Sequence, residues 1–387
     1  MALNINTEAQ IANFVEVLTL YLPDSRDARG KKHSLVFLVV AFVLATIVGR
    51  NTLSSIHRYI VHNHLNRLHE LTSIPKKDAI SRAHLPRLLA RLNWSALDQL
   101  INHFFGIRIE HNSGSRPWLA IDGKVLRGTL HGDERQSVIL AVMHKSRDVV
   151  AQARQIGPKS SEILVVRTLL EETGLNQQKI SLDALHFNPE TTTLIHQSNG
   201  VYLTQVKENQ EVILHECQSL IENQPVIAEV IDHDKAHGRI TTRHARIFSM
   251  ATMLLAPRWE KSGLSTCIVM ERETFDMTKK TTTSDTSYYV SSQVIRATQP
   301  QQDAEELTQA IRNHWGVESN NWIRDVTFQE DKIKTNSGHQ GQIMARLRGF
   351  GIALIKKSLP GNFQAAIDTL RDSFPTMESM LRRVKFL

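Results

Sequence analysis

Two rhythms of apolar residues divide the chain. Up to about residue 105 they recur at helical spacing, as in Leu85, Leu88, Leu89 and Leu92, then Leu97, Leu100, Ile101 and Phe104. This predicts an all-helical region with a helix over 85–105. Within it, Leu35–Val48 is an unbroken apolar run bracketed by Arg29, Lys31, Lys32 and Arg50. It is shorter than the ~20 residues that cross a bilayer, so it reads as a buried core helix. After the polar stretch His111–Pro117 the rhythm changes to short runs bounded by turn residues. Trp118–Lys124 reads as a strand ending in Asp122 and a glycine. Ser137–Met143 and Val149–Ile156 read as a hairpin turning at Lys145–Asp148. A helix is expected over Ser161–Thr173, capped by Ser160 or Ser161 and stopped by Gly174. Lys179–Ala184 is a second strand that runs into an acid, Asp183; a helix over Pro189–Ser198 and a strand over Val201–Val206 follow.

This order is α/β with a mixed sheet. Residues 211–286 break it with β-like runs (Gly238–Ser249, Ser265–Met270) and the polar tract Lys279–Asp285, and read as an inserted β-rich subdomain. Ser287–Ser292 returns as a strand, and Gln302 to about Arg324 reads as one long helix. The expected units are 1–110, all-α; 111–210, the first part of an α/β core; 211–286, the insertion; and 287–387, the second part of the core.

Composition narrows the class. Hydrophobic residues at 41% and charged residues at 22% suit a folded protein with a real core. A net charge of +7 and a pI near 9.4 favour a polyanionic partner, nucleic acid or anionic membrane, over a merely basic enzyme only when joined to other signals. Two cysteines, Cys217 and Cys267, exclude a disulfide framework and a four-cysteine zinc site. Both are expected buried in a reducing cytoplasm. The opening residues lack the basic start and apolar stretch of a secretory signal, so a cytoplasmic protein with no membrane partner is expected. His233 and His237 have zinc-like spacing but no further ligands. The basic and histidine residues crowding the helical region, among them Arg58, Arg67, Arg82, Arg87 and Arg91, favour contact with DNA over the plain reading of solvated charges on a helical bundle.

The candidate chemistry is acidic. Asp122 and Asp183 end neighbouring strands, and Glu318 sits on a late helix. Carboxylates in this layout suit Mg²⁺, with Mn²⁺ as substitute. Two ions ~3.5–4 Å apart would stabilise the attacking and leaving oxygens of a phosphoryl displacement. Each acid alone also has a plain reading: a turn Asp before Gly, a loop Asp near Asn188-Pro189, and a solvated helix face. The helix predicts a stripe of Ile311, His314, Glu318, Trp322 and Asp325, with His314 placed to donate to phosphate or steady Glu318.

Taken together these segments resemble the DDE transposases of bacterial insertion sequences, in the ISAs-type group that includes the H-repeat-associated proteins of Rhs elements. The resemblance rests on Leu22–Arg26 with Lys32-His33, Ile121–Gly128, Lys159–Ile163, Leu182–Ala184, Lys207–Gln210, His237–Arg239, Tyr288–Ser292, His314-Trp315 with Glu318, Asp325–Phe328 and Glu330-Asp331. It implies an RNase H-like catalytic core with Asp122, Asp183 and Glu318 as metal-holding acids, cleaving and joining DNA at element ends as a homodimer on double-stranded DNA. It also implies a phosphate contact at Lys207 beside the second acid and makes Lys235, Arg239, Arg243 and Arg246 the phosphate candidates of the insertion, with solvated charge as the plain reading; Lys124 beside the first acid and His314 before Glu318 are further candidate DNA contacts. Where related enzymes carry Tyr, Arg, Glu and Lys on the late helix, this chain has Ile311, His314, Glu318 and Asp325, and its step from Glu318 to Trp322 is one residue shorter. A non-catalytic DNA-binding descendant and a nuclease that cuts without joining are the alternatives.

Overall fold

A computed structural model describes residues 13–75, 79–105, 116–125, 136–156, 162–236, 238–330 and 340–382. Six helices come first: α1 Phe14–Tyr21, α2 Leu35–Ile47, α3 Leu53–Arg58, α4 Leu65–Thr72, α5 His84–Leu89 and α6 Trp94–Phe104. Every residue of α2 except Val36 is buried. The long apolar run is thus a core helix, started by the Ser34 hydroxyl accepting from the Phe37 amide at 3.3 Å. The single helix expected over 85–105 is two, because Asn93 starts a new one by accepting from the Ala96 amide at 3.0 Å.

The sheet strands are β1 Trp118–Val125, β2 Gln136–Met143, β3 Val149–Ile156, β4 Lys179–Leu182, β5 Val201–Val206, β6 Ala228–Ala236, β7 Arg239–Ser249, β8 Thr266–Asp276 and β9 Thr281–Ser291. They form one nine-stranded mixed sheet in the order β3-β2-β1-β4-β5-β9-β8-β7-β6. β1, β4 and β5 run parallel, and β2 is antiparallel to both its neighbours. The expected hairpin of β2 and β3 is present.

The insertion differs from expectation. Its strands do not stand apart: β9 pairs antiparallel with β5 and carries β8, β7 and β6 outward as an extension of the same sheet. Much of the polar tract at 279–285 is the outer half of β9. Its threonines are β-branched and suit a strand whose faces there are both open to water.

Side chains alternate across the sheet and meet helices on both faces. Leu119, Ile121, Ile180 and Leu182 pack beneath α7 Glu162–Thr173, α8 Pro189–Gln197 and α9 Glu211–Asn223. On the other face, Trp118 and Leu203 pack against Ala304, Leu307 and Ile311 of α10 Pro300–His314. Ala120 and Leu140 pack against Val317 of α11 Gly316–Trp322 and Ala345 of α12 Gln340–Ser358. Cys217 and Cys267 are buried free thiols in the first of these layers.

α12, α13 Phe363–Asp372 and α14 Phe374–Arg382 share one core with the N-terminal helices. Buried polar contacts join this bundle to the sheet. Arg346 on α12 donates to the Val149 carbonyl at 3.1 Å and to Asn102 Oδ1 at 2.7 Å, and pairs with Asp98. Burial pushes the Asp98 carboxyl up to about 6, and Arg346 works against that push.

Candidate active site

Parallel pairing of β1 and β4 matches Ile121 with Leu182, so Asp122 and Asp183 each follow the last paired residue at the same height. Neighbouring strands lie ~4.8 Å apart, which puts the two acids side by side. Alternation then turns both to the face covered by α10 and α11, along with Ser181 and Ala120. Asp183 caps the short turn Ala184–His186, accepting from the Ala184 amide at 2.7 Å, and Lys207 Nζ lies 4.0 Å from its Oδ1. Asp122 Oδ2 accepts from the side-chain amide of Asn321 at 3.1 Å. Both acids line one cavity of about 210 Å³ with Ser181, Thr204, Lys207, His314 and Trp315.

The helix above them is not the continuous one expected. α10 stops at His314, Trp315 forms a turn, α11 starts at Gly316, and a π-helical turn follows over Ile323–Thr327. The break has a cause in the turn between β2 and β3. Arg147 reaches across to donate to the Asn313 carbonyl at 2.7 Å, and its guanidinium fills the space a side chain at position 316 would need. Only glycine permits that approach. The new helix sets Val317 on the sheet and Asn321, one turn later, on Asp122. Glu318 is on the backbone of α11, one residue past Val317; its side chain lies outside the described residues.

His314 is half-buried at the cavity wall. Its Nδ1 is 2.8 Å from Ser181 Oγ, and the same hydroxyl is 2.8 Å from Nε2 of buried His144. Burial lowers the pKa of His314 to about 4; Asp183 opposes that shift and His186 adds to it. Burial, with His314 and Arg147, lowers that of His144 to about 3. Both rings are therefore neutral at physiological pH. Among the described residues no three His, Cys, Asp or Glu side chains converge as a metal-binding group. The acid pair is the part of the expected triad that can be seen to meet.

Residues 19–105 match the model of the DDE_Tnp_1-associated family. Over 352 residues the chain is 26% identical to the "H repeat-associated putative transposase YhhI" of Escherichia coli K12, covering 86% of this chain and 88% of that protein. It is also 26% identical to the "Putative transposase YncI" of Escherichia coli O157:H7, over 87% and 85% of the two chains. A third relative, "Putative protein YbfL" of Escherichia coli K12, shows the same identity and extent as the first. Over most of its length the chain is thus similar to putative transposases, one of them H repeat-associated, and its N-terminal part matches a transposase-associated family.

For a transposase relative the cations matter most, and the structure sorts them. Lys207 is exposed at the cavity. Lys124, expected at DNA, is instead only 7% exposed and pairs with Asp325 and, at 3.9 Å, with Glu330. Alternation from Asp122 directs it inward beneath the π-turn, so it is a structural cation in this fold. On the sheet extension Arg239 pairs with Asp276 at 3.6 Å, Arg243 with Asp232 at 3.4 Å and Arg246 with Glu271 at 2.7 Å. Arg243 faces a second hollow of about 420 Å³ that shares Lys207, Tyr289 and Trp315 with the first and adds Arg272 and Arg312. Arg239 and Arg246 are not among its lining residues. His237 lies outside the described residues.

Sequence reasoning missed three supports of the site. Asn321 could not be singled out from its neighbours in Ser-Asn-Asn-Trp. Glu162 and His186 form a buried pair, Nε2 to Oε1 at 3.3 Å, on the opposite face of the sheet. The Glu162 carboxylate occupies the space where a Cβ at Gly123 would lie, so this Asp-Gly marks a close approach rather than a turn. Glu330 is buried with Arg348 at 2.9 Å and Arg324 at 3.3 Å. Burial pushes its pKa up, but Arg324, Arg348 and Lys124 outweigh this and hold it below the usual value. That cluster pins the end of β1 to the π-turn and α12.

Proposed function

We propose that the protein is a metal-dependent DNA transposase that cuts at the ends of its element and joins them to target DNA. The observation that carries this reading is the matched height of Asp122 and Asp183 on adjacent parallel strands, facing one cavity beneath the helix that bears Glu318. The strand order β3-β2-β1-β4-β5, with β2 alone antiparallel within it, supports an RNase H-like core. Its relatives' names support transposition.

The donor chemistry fits a pair of hard divalent cations: oxygen ligands, an open cavity, and no soft thiolate at hand. Asp122, Asp183 and Glu318 would hold Mg²⁺ or Mn²⁺, which when bound supplies charge for the attacking and leaving oxygens. The chain's own groups do the rest. Asn321 fixes the Asp122 carboxylate, and the Ala184 amide fixes that of Asp183. Lys207 stands at the cavity mouth where a scissile phosphate would enter, and His314 is a neutral donor on its wall. Arg243, Arg272 and Arg312 flank the adjoining hollow, and their carboxylate partners must yield as phosphates arrive. Recognition of two ends calls for a synaptic homodimer on double-stranded DNA.

Purified protein incubated with labelled flanking DNA of its own gene, Mg²⁺ and a supercoiled target plasmid tests this. Joined products are expected. Nicks alone would reduce the protein to a nuclease, and intact bound DNA to a binding protein.

A further inference from the structure

Ser181 carries one hydroxyl proton and stands between two imidazoles, and the fold dictates which way that proton points. His144 is 5% exposed, and its Nδ1 has no hydrogen-bond partner among the described residues. A buried N–H without an acceptor is rarer and costlier than a bare lone pair. The His144 proton therefore sits on Nε2 and is donated to Ser181 Oγ at 2.8 Å. The hydroxyl then has its own proton to give. His314 Nδ1 is 2.8 Å away and the Leu119 carbonyl 3.3 Å, so His314 is the better acceptor. A neutral imidazole that accepts at Nδ1 carries its proton on Nε2. That is the nitrogen left for the cavity His314 shares with Asp122 and Asp183.

We infer that His144 and Ser181 are positioning residues that fix His314 as a neutral imidazole presenting Nε2–H to the cavity, where it donates to a non-bridging oxygen of the scissile phosphate. The phosphate in this statement rests on the transposase reading; the direction of the hydrogen-bond chain does not. The arrangement adds a donor without adding positive charge beside carboxylates that are to gather cations. It also accounts for a seryl hydroxyl on β4 two residues before Asp183, on the same face, at 2% exposure. Trp118 stacks on His144 at 6.2 Å between ring centroids, holding the far end of the chain.

The test is long-range ¹H–¹⁵N correlation on the full-length chain labelled with ¹⁵N-histidine, His314 being assigned by its loss in His314→Gln. At pH 7.5 His314 is expected as the Nε2–H tautomer. Ser181→Ala should convert it to a tautomer mixture, and Ser181→Thr, which keeps the hydroxyl, should restore it. A His314 signal from the Nδ1–H form or from imidazolium in the wild type overturns the inference, as does a Ser181→Ala spectrum unchanged at His314. Cleavage of a plasmid carrying the gene and its flanks supplies the second readout. His314→Gln, which offers an N–H near the same point, should stay within about tenfold of wild type, and His314→Ala should fall about a hundredfold, the scale for losing one oxyanion donor. Equal losses in the two variants would overturn the donor role. The expected tautomer in a protein that cuts no DNA would refute the transposase reading while leaving the hydrogen-bond chain standing.

Discussion

Replacing Glu330 with Gln should destabilise the fold by about 3–5 kcal/mol, the usual cost of stranding buried charge. Glu330 is 4% exposed, and its cationic neighbours Arg324 and Arg348 are 3% and 1% exposed. At the 2.9 Å separation from Arg348 the attraction is about 6 kcal/mol for an effective dielectric near 20. The substitution removes that attraction and those to Arg324 and Lys124. It returns none of the desolvation that the two guanidiniums have already met, since neither can reach water. Lys124 keeps Asp325 as its partner, so the damage falls mainly on the two arginines. Arg348→Met in the same background removes one stranded cation. The double variant should therefore be less destabilised than the two single losses together, by a coupling of about 1–3 kcal/mol. Urea unfolding followed by tryptophan fluorescence measures both quantities. A Glu330→Gln loss under about 1 kcal/mol, or strict additivity with Arg348→Met, would refute the claim that this cluster locks β1 to the π-turn.

Three further outcomes follow from the site. Gly123→Ala should cost about 1–3 kcal/mol by overpacking, because the new methyl meets a Glu162 carboxylate that burial and His186 keep from swinging away. Glu162→Ser in the same chain should recover part of that loss in thermal unfolding, and no recovery would show that the contact is not the cause. Asn321→Ala should lower strand cleavage about 10–100-fold with little change in DNA affinity, the range for losing a group that orients a metal-holding ligand; gel-shift and cleavage rates measured together decide it. His144, whose pKa falls to about 3, binds no proton in the fold where the unfolded chain takes one near 6.5. Its contribution is present above pH 6.5 and is lost as pH falls towards 3, at up to about 1.4 kcal/mol per pH unit. His144→Gln should therefore flatten the decline in urea midpoint between pH 6.5 and 5, and an unchanged slope would count against a buried neutral ring.

Local pattern made much of this legible in the chain. β5 and the β2–β3 hairpin follow directly from apolar alternation and turn residues, and α2 from an apolar run too short for a bilayer. Both aspartates were visible because each ends a short buried strand. What the sequence hid is decided by residues distant in the chain. The break before α11 is made by Arg147, which arrives from the β2–β3 turn, so helical periodicity alone could not show it. Lys124 resembled a surface cation until Asp325 and Glu330 were seen beneath it. The sequence places the polar threonine tract inside the insertion but does not reveal its neighbours: most of it is the outer half of β9, whose inner half pairs with β5.

Metal-dependent cleavage by Asp122→Asn, measured beside wild type on the same end-bearing duplex over a range of Mg²⁺ and Mn²⁺ concentrations, bears most directly on the claim that the two strand-end acids form a metal site for phosphoryl transfer. The account predicts that the variant binds the duplex as tightly as wild type and produces no cut 3′ ends at any metal concentration. Cleavage by the variant at the wild-type rate and metal dependence would contradict it.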